Sequence, residues 1–287
     1  MLQLVLAILC SVTVGVLIKY ARMKGIHIAQ SIAVNYIITT TLTYFLLKPD
    51  FKGELLTDIV IHHPAAYIFV ILSLSLPIVF LVQAKSLEYA GIIRTDAAQR
   101  LSLFLPILAA FTLFGETPTS HKIFALVLAF IALACLLWKG HEEMKKGGKI
   151  AIISLALVWV GYGVIDILFK QIAKSGSAFP VTLLIAFIGA GIFMFAYLFL
   201  TRAKWHLPSM LTGILLGVLN FCNILFYIQA HQAMKDDPTL VFTGMNLGVI
   251  CLGTFIGAAA FKEKIHKVNY LGVAIAIVAI ICLFYWN

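Results

Sequence analysis

Charge is what this sequence has least of: only 11% of its 287 residues are Asp, Glu, Lys or Arg, against roughly a quarter in soluble domains. With 62% hydrophobic residues beside so few charges, no water-facing surface can be assembled, which excludes a soluble enzyme and a disordered chain. Cysteine is also scarce, and all five (Cys10, Cys135, Cys222, Cys251, Cys282) fall inside apolar runs. There is no Cys-x-x-Cys pair, so the cysteines read as small core residues and not as a disulfide framework or a metal site. The eight histidines lie at or near loops, without the spacing that zinc requires. No nucleotide-cradling glycine loop or ATPase motif occurs, so any energy input must come from a gradient or an exchange. The expectation is a protein without cofactor, metal or catalytic constellation, and not an enzyme. A net charge of +9 would suggest nucleic acid in a soluble protein. Here the basic residues are scattered through short loops and helix ends, which reads as membrane orientation with no nucleic-acid partner.

What the chain does have is long apolar runs. Each membrane span needs ~20 mostly apolar residues, far more than the ~9–11 alternating residues of an outer-membrane strand. Backbone groups in lipid must be satisfied within the segment, so the runs predict helices. Reading them against charged or proline-marked breaks predicts helices near 2–20, 28–47, 64–86, 92–114, 121–139, 150–172, 179–200, 209–231, 239–261 and 267–286. The fold class expected is all-α, a membrane protein of ten transmembrane helices. In the first run Lys19, Arg22 and Lys24 follow the apolar stretch and do not precede it, so it reads as a retained helix and not as a signal peptide. The one clear linker lies at 140–149, following Lys139, and separates five helices (1–139) from five (150–287).

The halves look like copies. A slide of 147 residues places Glu263 on Glu116, Ala279 on Ala132, Cys282 on Cys135 and Leu283 on Leu136. A slide of 146 aligns Phe80-x-x-Gln83-Ala84 with Phe226-x-x-Gln229-Ala230, and one of 151 aligns Leu17-x-Lys19 with Leu168-x-Lys170. Five helices per copy is an odd number, so the second copy must enter the membrane inverted. Inverted repeats are a transporter device: two packings exchanged between halves expose a midplane site to each side in turn.

With those features the sequence resembles the EamA-like branch of the drug/metabolite transporter superfamily, a group of ten-helix carriers. The residues that carry the likeness are the lysines closing the first helix of each half (Lys19, Lys170) and the stretch Ala84-Lys85-Ser86-Leu87-Glu88-Tyr89. The fourth helix then runs through Pro106 into Leu113-Phe114-Gly115-Glu116, an ending repeated as Ala260-Phe261-Lys262-Glu263. The resemblance implies a basket of helices around a central cavity that moves small metabolites, with both termini in the cytoplasm. Lys and Arg, however, concentrate in the loops after the odd-numbered helices, which taken literally puts the termini outside. Lys262 in place of Gly115 and Gly253 in place of Pro106 show that the second copy has drifted.

Charges inside a span cost about 2.5 kcal/mol or more, so each needs a reason. In the fourth helix Asp96, Gln99 and Arg100 share one face. Arg100 could anchor a carboxylate, while Asp96 binds an amine or takes up a coupling proton. In the sixth helix Tyr162, Asp166 and Lys170 share a face, with Asp166 four residues before Lys170 in the favourable order for an ion pair. Lys19 and Lys170 read as gating or structural residues. Asn220, Asn223 and Tyr227 form a stripe on the eighth helix, with Asn246 on the ninth. Such groups can orient a ligand or hydrogen-bond between helices. Asn35, Thr39 and Thr43 make a milder stripe, read as packing.

The function expected is therefore a secondary carrier that exports a small polar metabolite, such as an amino acid or related amphiphile, by alternating access in a bacterial cell membrane. Its partners would be the substrate, the lipid bilayer, and a proton or counter-substrate. The alternatives are an obligate exchanger of phosphorylated or nucleotide-linked sugars and, outside transport, a membrane scaffold or enzyme.

Overall fold

The computed structural model describes residues 1–51, 66–90, 92–136, 148–174, 179–261 and 266–285. Among them every regular element is a helix. In chain order these are α1 (Leu2–Met23), α2 (Ile28–Leu47), α3 (Ala66–Tyr89), α4a (Ile92–Leu101), α4b (Phe104–Thr112), α5 (Ser120–Leu136), α6 (Gly148–Lys174), α7 (Phe179–Leu200), α8 (Leu207–Ala233), α9 (Pro238–Phe261) and α10 (Lys267–Tyr285). Their positions follow the apolar runs closely. The expected linker lies outside the described residues except for Gly148 and Lys149, which open α6.

Six of the described helices (α1, α3, α6, α7, α8, α9) are long and apolar enough to cross a membrane. The 27 residues of α6 extend ~40 Å at 1.5 Å per residue. Ten spans were expected from the sequence. By length and composition α2 has too many polar residues, α4 is broken, and α5 and α10 are described over shorter apolar stretches.

The break in α4 corrects the continuous helix expected over 92–114. Pro106 has no N–H to give the carbonyl four residues back, Ser102, and its ring crowds that position. The helix therefore gives way at Ser102–Leu103. By contrast, Pro77 sits inside α3 without dividing it.

The described chain sorts into two compact units, and each draws on both halves of the sequence. One comprises Met1–Ile8, Val82–Ile167 and Ala233–Asn287; the other comprises Leu9–Leu81 and Leu168–Gln232. Each unit therefore takes segments from both 1–139 and 150–287.

In the first unit α5 packs extensively on α10. The core of this contact is a run of small residues: Ala129 and Ala132 from α5 meet Ala276 and Ala279 from α10, with Leu133, Leu136, Leu247 and Ile250 around them. Small side chains let helix axes approach closely, which is how helices associate where lipid is as apolar as leucine. The two helices run antiparallel. Gly272, near the start of α10, abuts Cys135 and Leu136 at the end of α5; Ala125, near the start of α5, clusters with Cys282 and Leu283. Shifted by 147 residues, Ala125, Ala129 and Ala132 become Gly272, Ala276 and Ala279. In the same unit Leu4 and Ile8 of α1 lie against Gly244 and Gly248 of α9, a parallel pair. Leu101 and Leu105 lie against Trp159 and Gly163 of α6, also parallel.

In the second unit α2 packs extensively on α7. These run antiparallel: Gly191 faces Tyr36, whereas Leu184 and Ile188 share a shallow groove with Thr40 and Tyr44. Phe69 and Ser73 of α3 follow Ile185 and Gly189 of α7 in parallel. Ser31, Val34 and Ile38 of α2 follow Gly213 and Gly217 of α8 in the same sense.

The close seam at Gly272 yields a stability prediction. A Cβ there would stand 2.9 Å from the Leu136 backbone nitrogen and the Cys135 side chain, so Gly272→Leu should overpack the α5–α10 interface by about 1–3 kcal/mol. Gly253, within α9, has open space around its Cβ position, and Gly253→Ala should be neutral or stabilising by about 0.5–1 kcal/mol. Thermal unfolding of the two purified variants in detergent compares them directly; equal midpoints would refute the packing described.

Candidate functional site

The break in α4 is the feature around which polar groups collect in the first unit. A helix interrupted inside an apolar bundle exposes carbonyls that lipid cannot satisfy, so each needs a donor. Ala98 O accepts the Ser102 N–H at 3.1 Å, Arg100 O that of Leu103 at 3.2 Å and Ser102 O that of Leu105 at 3.0 Å. Gln99 O accepts the Ser102 hydroxyl at 2.6 Å. Leu101 O accepts the indole Nε1–H of Trp159, from α6, at 3.0 Å. Each carbonyl from Ala98 to Ser102 thus has a donor.

Beside it runs a chain of side-chain hydrogen bonds across three helices. The Tyr162 hydroxyl (α6) donates to Gln83 Oε1 (α3) at 2.8 Å, and Gln83 Nε2 donates to Gln99 Oε1 (α4a) at 2.9 Å. Since its carbonyl oxygen is occupied, Gln99 has its amide N–H groups left to offer. Arg100, half-buried, closes the last turn of α4a. The start of α4b follows, where the helix dipole is positive. Asp166 lies one turn beyond Tyr162 on α6 and is half-buried. The side chain of Asp96 lies outside the described residues.

Of the site residues expected from the sequence, the structure thus joins Gln99 and Tyr162 through Gln83. Gln83 stood out in the sequence only as a repeat marker. Asn246, also in the first unit, turns its amide back to its own helix, donating to Phe242 O at 3.1 Å. Its neighbour Thr243 is fully buried with its hydroxyl unmatched among the described residues.

The remaining expected residues belong to the second unit. Asn220 Nδ2 donates to Asn35 Oδ1 at 3.2 Å, a bond between α8 and α2 and so a packing contact. Asn223, one turn on, has a buried Oδ1 with no hydrogen-bond partner among the described residues; of the α8 stripe it is the group best placed to take a ligand's donor. Tyr227 is packed between aromatic rings, with Phe169 perpendicular at 6.2 Å and His231 at 4.8 Å. Lys170 is 1% exposed and its ammonium reaches His231 O at 3.5 Å. Lys19 is half-buried near the end of α1. Thr39 and Thr43 are buried and bond back to Tyr36 O and Thr39 O of their own helix.

A second polar centre in the first unit was legible in the sequence only as a motif. After α4b the chain turns through Gly115, whose φ of +73° is the left-handed conformation that favours glycine. Glu116, next in line, inserts its carboxylate at the start of α9. Its Oε2 accepts from the Thr239 N–H at 3.1 Å and the Thr239 hydroxyl at 2.7 Å, and its Oε1 from Lys122 Nζ at 2.9 Å. Lys122 also reaches Asp237 at 3.0 Å. A carboxylate at a helix N-terminus satisfies orphan N–H groups and suits the dipole. The equivalent Glu263 lies outside the described residues.

No family model matches the chain. A solved crystal structure shares the fold, with a TM-score of 0.76 over 99% of this chain and 96% of that one, at 14% identity. A protein of Haemophilus influenzae, described as uncharacterized, is 57% identical over 283 residues, which is 99% of this chain and 97% of the relative. At that identity over nearly the full length of both proteins, the chain belongs to the same family as the Haemophilus influenzae protein.

Proposed function

We propose that the protein is a secondary carrier of the EamA-like type, with ten spans arranged as two inverted five-helix repeats. It exports a small polar metabolite with an anionic group, such as an amino acid or related amphiphile, across a bacterial inner membrane. What supports this most is the symmetry of the helix contacts. The pairs α2–α7 and α5–α10, counterparts in the two halves, pack antiparallel, as inversion requires. The parallel pairs also match: α1–α9 maps to α6–α4, and α2–α8 to α7–α3. Even single contacts correspond, since Ile8 against Gly248 and Trp159 against Leu101 exchange under the slides of 151 and 147 residues. An enzyme or a scaffold has no use for such symmetry, whereas alternating access depends on it.

The break in α4, with Arg100 and Gln99 beside it, is the element to which we assign substrate binding, and Asp96, four residues before Arg100 in the sequence, is assigned the opposite charge. Discontinuous helices supply binding groups at the repeat interface of many carriers. Purified protein would first be screened by thermal shift against a metabolite panel, and hits tested for uptake into proteoliposomes without ATP. A stabilising metabolite that is carried down or against a proton or counter-substrate gradient is expected. Tight binding with no flux for any hit would overturn the carrier reading. Within the site, Tyr162→Phe removes one hydrogen bond, worth about 0.5–1.5 kcal/mol, and should weaken the apparent affinity of that substrate about two- to tenfold.

A further inference from the structure

We infer that one end of the second unit, formed by the segments 20–31 and 199–209, is a binding surface for the phosphate head group of an anionic phospholipid. This goes beyond the carrier reading and does not depend on it. The two segments are held together by hydrogen bonds. Gln30 bridges them, its Nε2 donating to Lys204 O and its Oε1 accepting the His206 N–H at 3.0 Å. Ser209 joins them again: its hydroxyl accepts the His27 N–H at 3.1 Å, and its carbonyl accepts the Ser31 hydroxyl at 2.8 Å. The His27 and His206 rings meet edge to face at 5.8 Å. The surface is a fixed platform of two segments pinned at four points.

Its charge is of one sign. Neither segment contains an Asp or Glu, while Lys24, Arg202 and Lys204 are exposed on it. At the Glu116 centre of the first unit, by contrast, Lys122 is met by two carboxylates. Cations whose own two segments carry no carboxylate suit an anion from outside the chain.

The flank of the platform decides which anion. Phe199 and Leu200, at the end of α7, are 84% and 79% exposed, and Met23 and Leu207 are also largely exposed. Trp205 lies tilted by 33° against Phe195, ring centres 6.0 Å apart, and the Lys24 ammonium lies 5.7 Å from the centre of the Tyr20 ring. Aromatic rings and lysine stems of this kind mark the level of lipid head groups. A soluble anion needs only the cations. An amphiphile uses both the cations and the apolar skin beside them, as an anionic phospholipid does.

The test places the full-length protein in nanodiscs of phosphatidylcholine alone or with added phosphatidylglycerol, and measures thermal unfolding and, by native mass spectrometry, retained lipid. Native protein should be stabilised by phosphatidylglycerol and retain it. The triple variant Lys24→Gln, Arg202→Gln, Lys204→Gln should match the native protein in phosphatidylcholine. Its affinity for phosphatidylglycerol should fall on the order of 100-fold, since each cation near an anionic surface is worth about a fivefold change. The charge-conserving variant Lys24→Arg, Arg202→Lys, Lys204→Arg should retain the lipid. Undiminished retention by the glutamine variant, loss of retention by the charge-conserving one, or equal stability in both lipids would overturn the proposal. Stabilisation by inorganic phosphate in phosphatidylcholine would replace it with a site for a soluble anion.

Discussion

Glu116→Ala should destabilise the protein by about 3–5 kcal/mol, the cost of breaking a buried ion pair from one side. The carboxylate is 1% exposed and receives three donors: the Lys122 ammonium and the backbone and hydroxyl groups of Thr239. Its removal leaves a buried N–H unmatched at the start of α9. It also leaves the Lys122 ammonium, 11% exposed, with Asp237 alone. That remaining contact puts the expected loss toward the lower end of the range. Two companion variants separate the contributions. Thr239→Val keeps the ion pair and loses one hydrogen bond, about 1 kcal/mol. The double variant Glu116→Leu, Lys122→Met removes both buried charges and should recover most of the loss, because well-packed apolar residues often replace a buried pair without net cost. Unfolding in a single detergent, with the fraction of monodisperse protein as a second readout, measures all three. An alanine variant as stable as the native protein would show that the carboxylate is not buried as described.

That centre also shows what the sequence can and cannot convey. Glu116 was legible as the end of a repeated motif, but its role depends on Thr239 and Asp237, more than a hundred residues away, whose approach no local pattern announces. The helices themselves were legible because a span must be apolar throughout and its ends carry charge, both local properties. The interruption of α4 was not. Pro77 and Pro106 look alike in the sequence, and only the latter divides its helix. At Pro106 the loosened backbone finds new donors, from Ser102 nearby and from Trp159 on another helix. The stripe of Asn220, Asn223 and Tyr227 was correctly placed on one face, since periodicity fixes direction. It could not tell that Asn220 is committed to Asn35, that Tyr227 is wedged between rings, and that Asn223 keeps an unmatched oxygen. The residues that match between the two halves were readable. That α5 packs on α10, one helix from each half of the sequence, rests on the Ala and Gly positions that match at a slide of 147. Those positions read as ordinary small residues until α5 and α10 are seen together.

Arg100→Leu should abolish transport while leaving the protein folded. If Arg100 anchors the anionic group of the substrate, removing one side of a desolvated, hydrogen-bonded charge pair costs about 2–5 kcal/mol of binding, or roughly 30- to several-thousand-fold in affinity. The fold should tolerate the change. Arg100 is half-buried at the C-terminal end of α4a, where a cation gains about 0.3–1 kcal/mol from the helix dipole, and the unfolding midpoint measured beside transport reads its structural contribution. The two roles are separated by Arg100→Lys. A purely structural cation at a helix end is replaced by lysine at little cost, whereas a guanidinium that grips a carboxylate through two donors is not. The lysine variant should therefore keep native stability and regain only part of the transport. Asp96→Asn, which removes the assigned opposite charge four residues earlier in the sequence, should fail in transport as Arg100→Leu does. The affected substrate should differ with chemistry: a carboxylic acid lacking the amine should lose affinity on Arg100→Leu and be indifferent to Asp96→Asn. Full transport by both single variants would remove these residues from the site and leave Gln83, Gln99 and Tyr162 as a structural bridge between three helices.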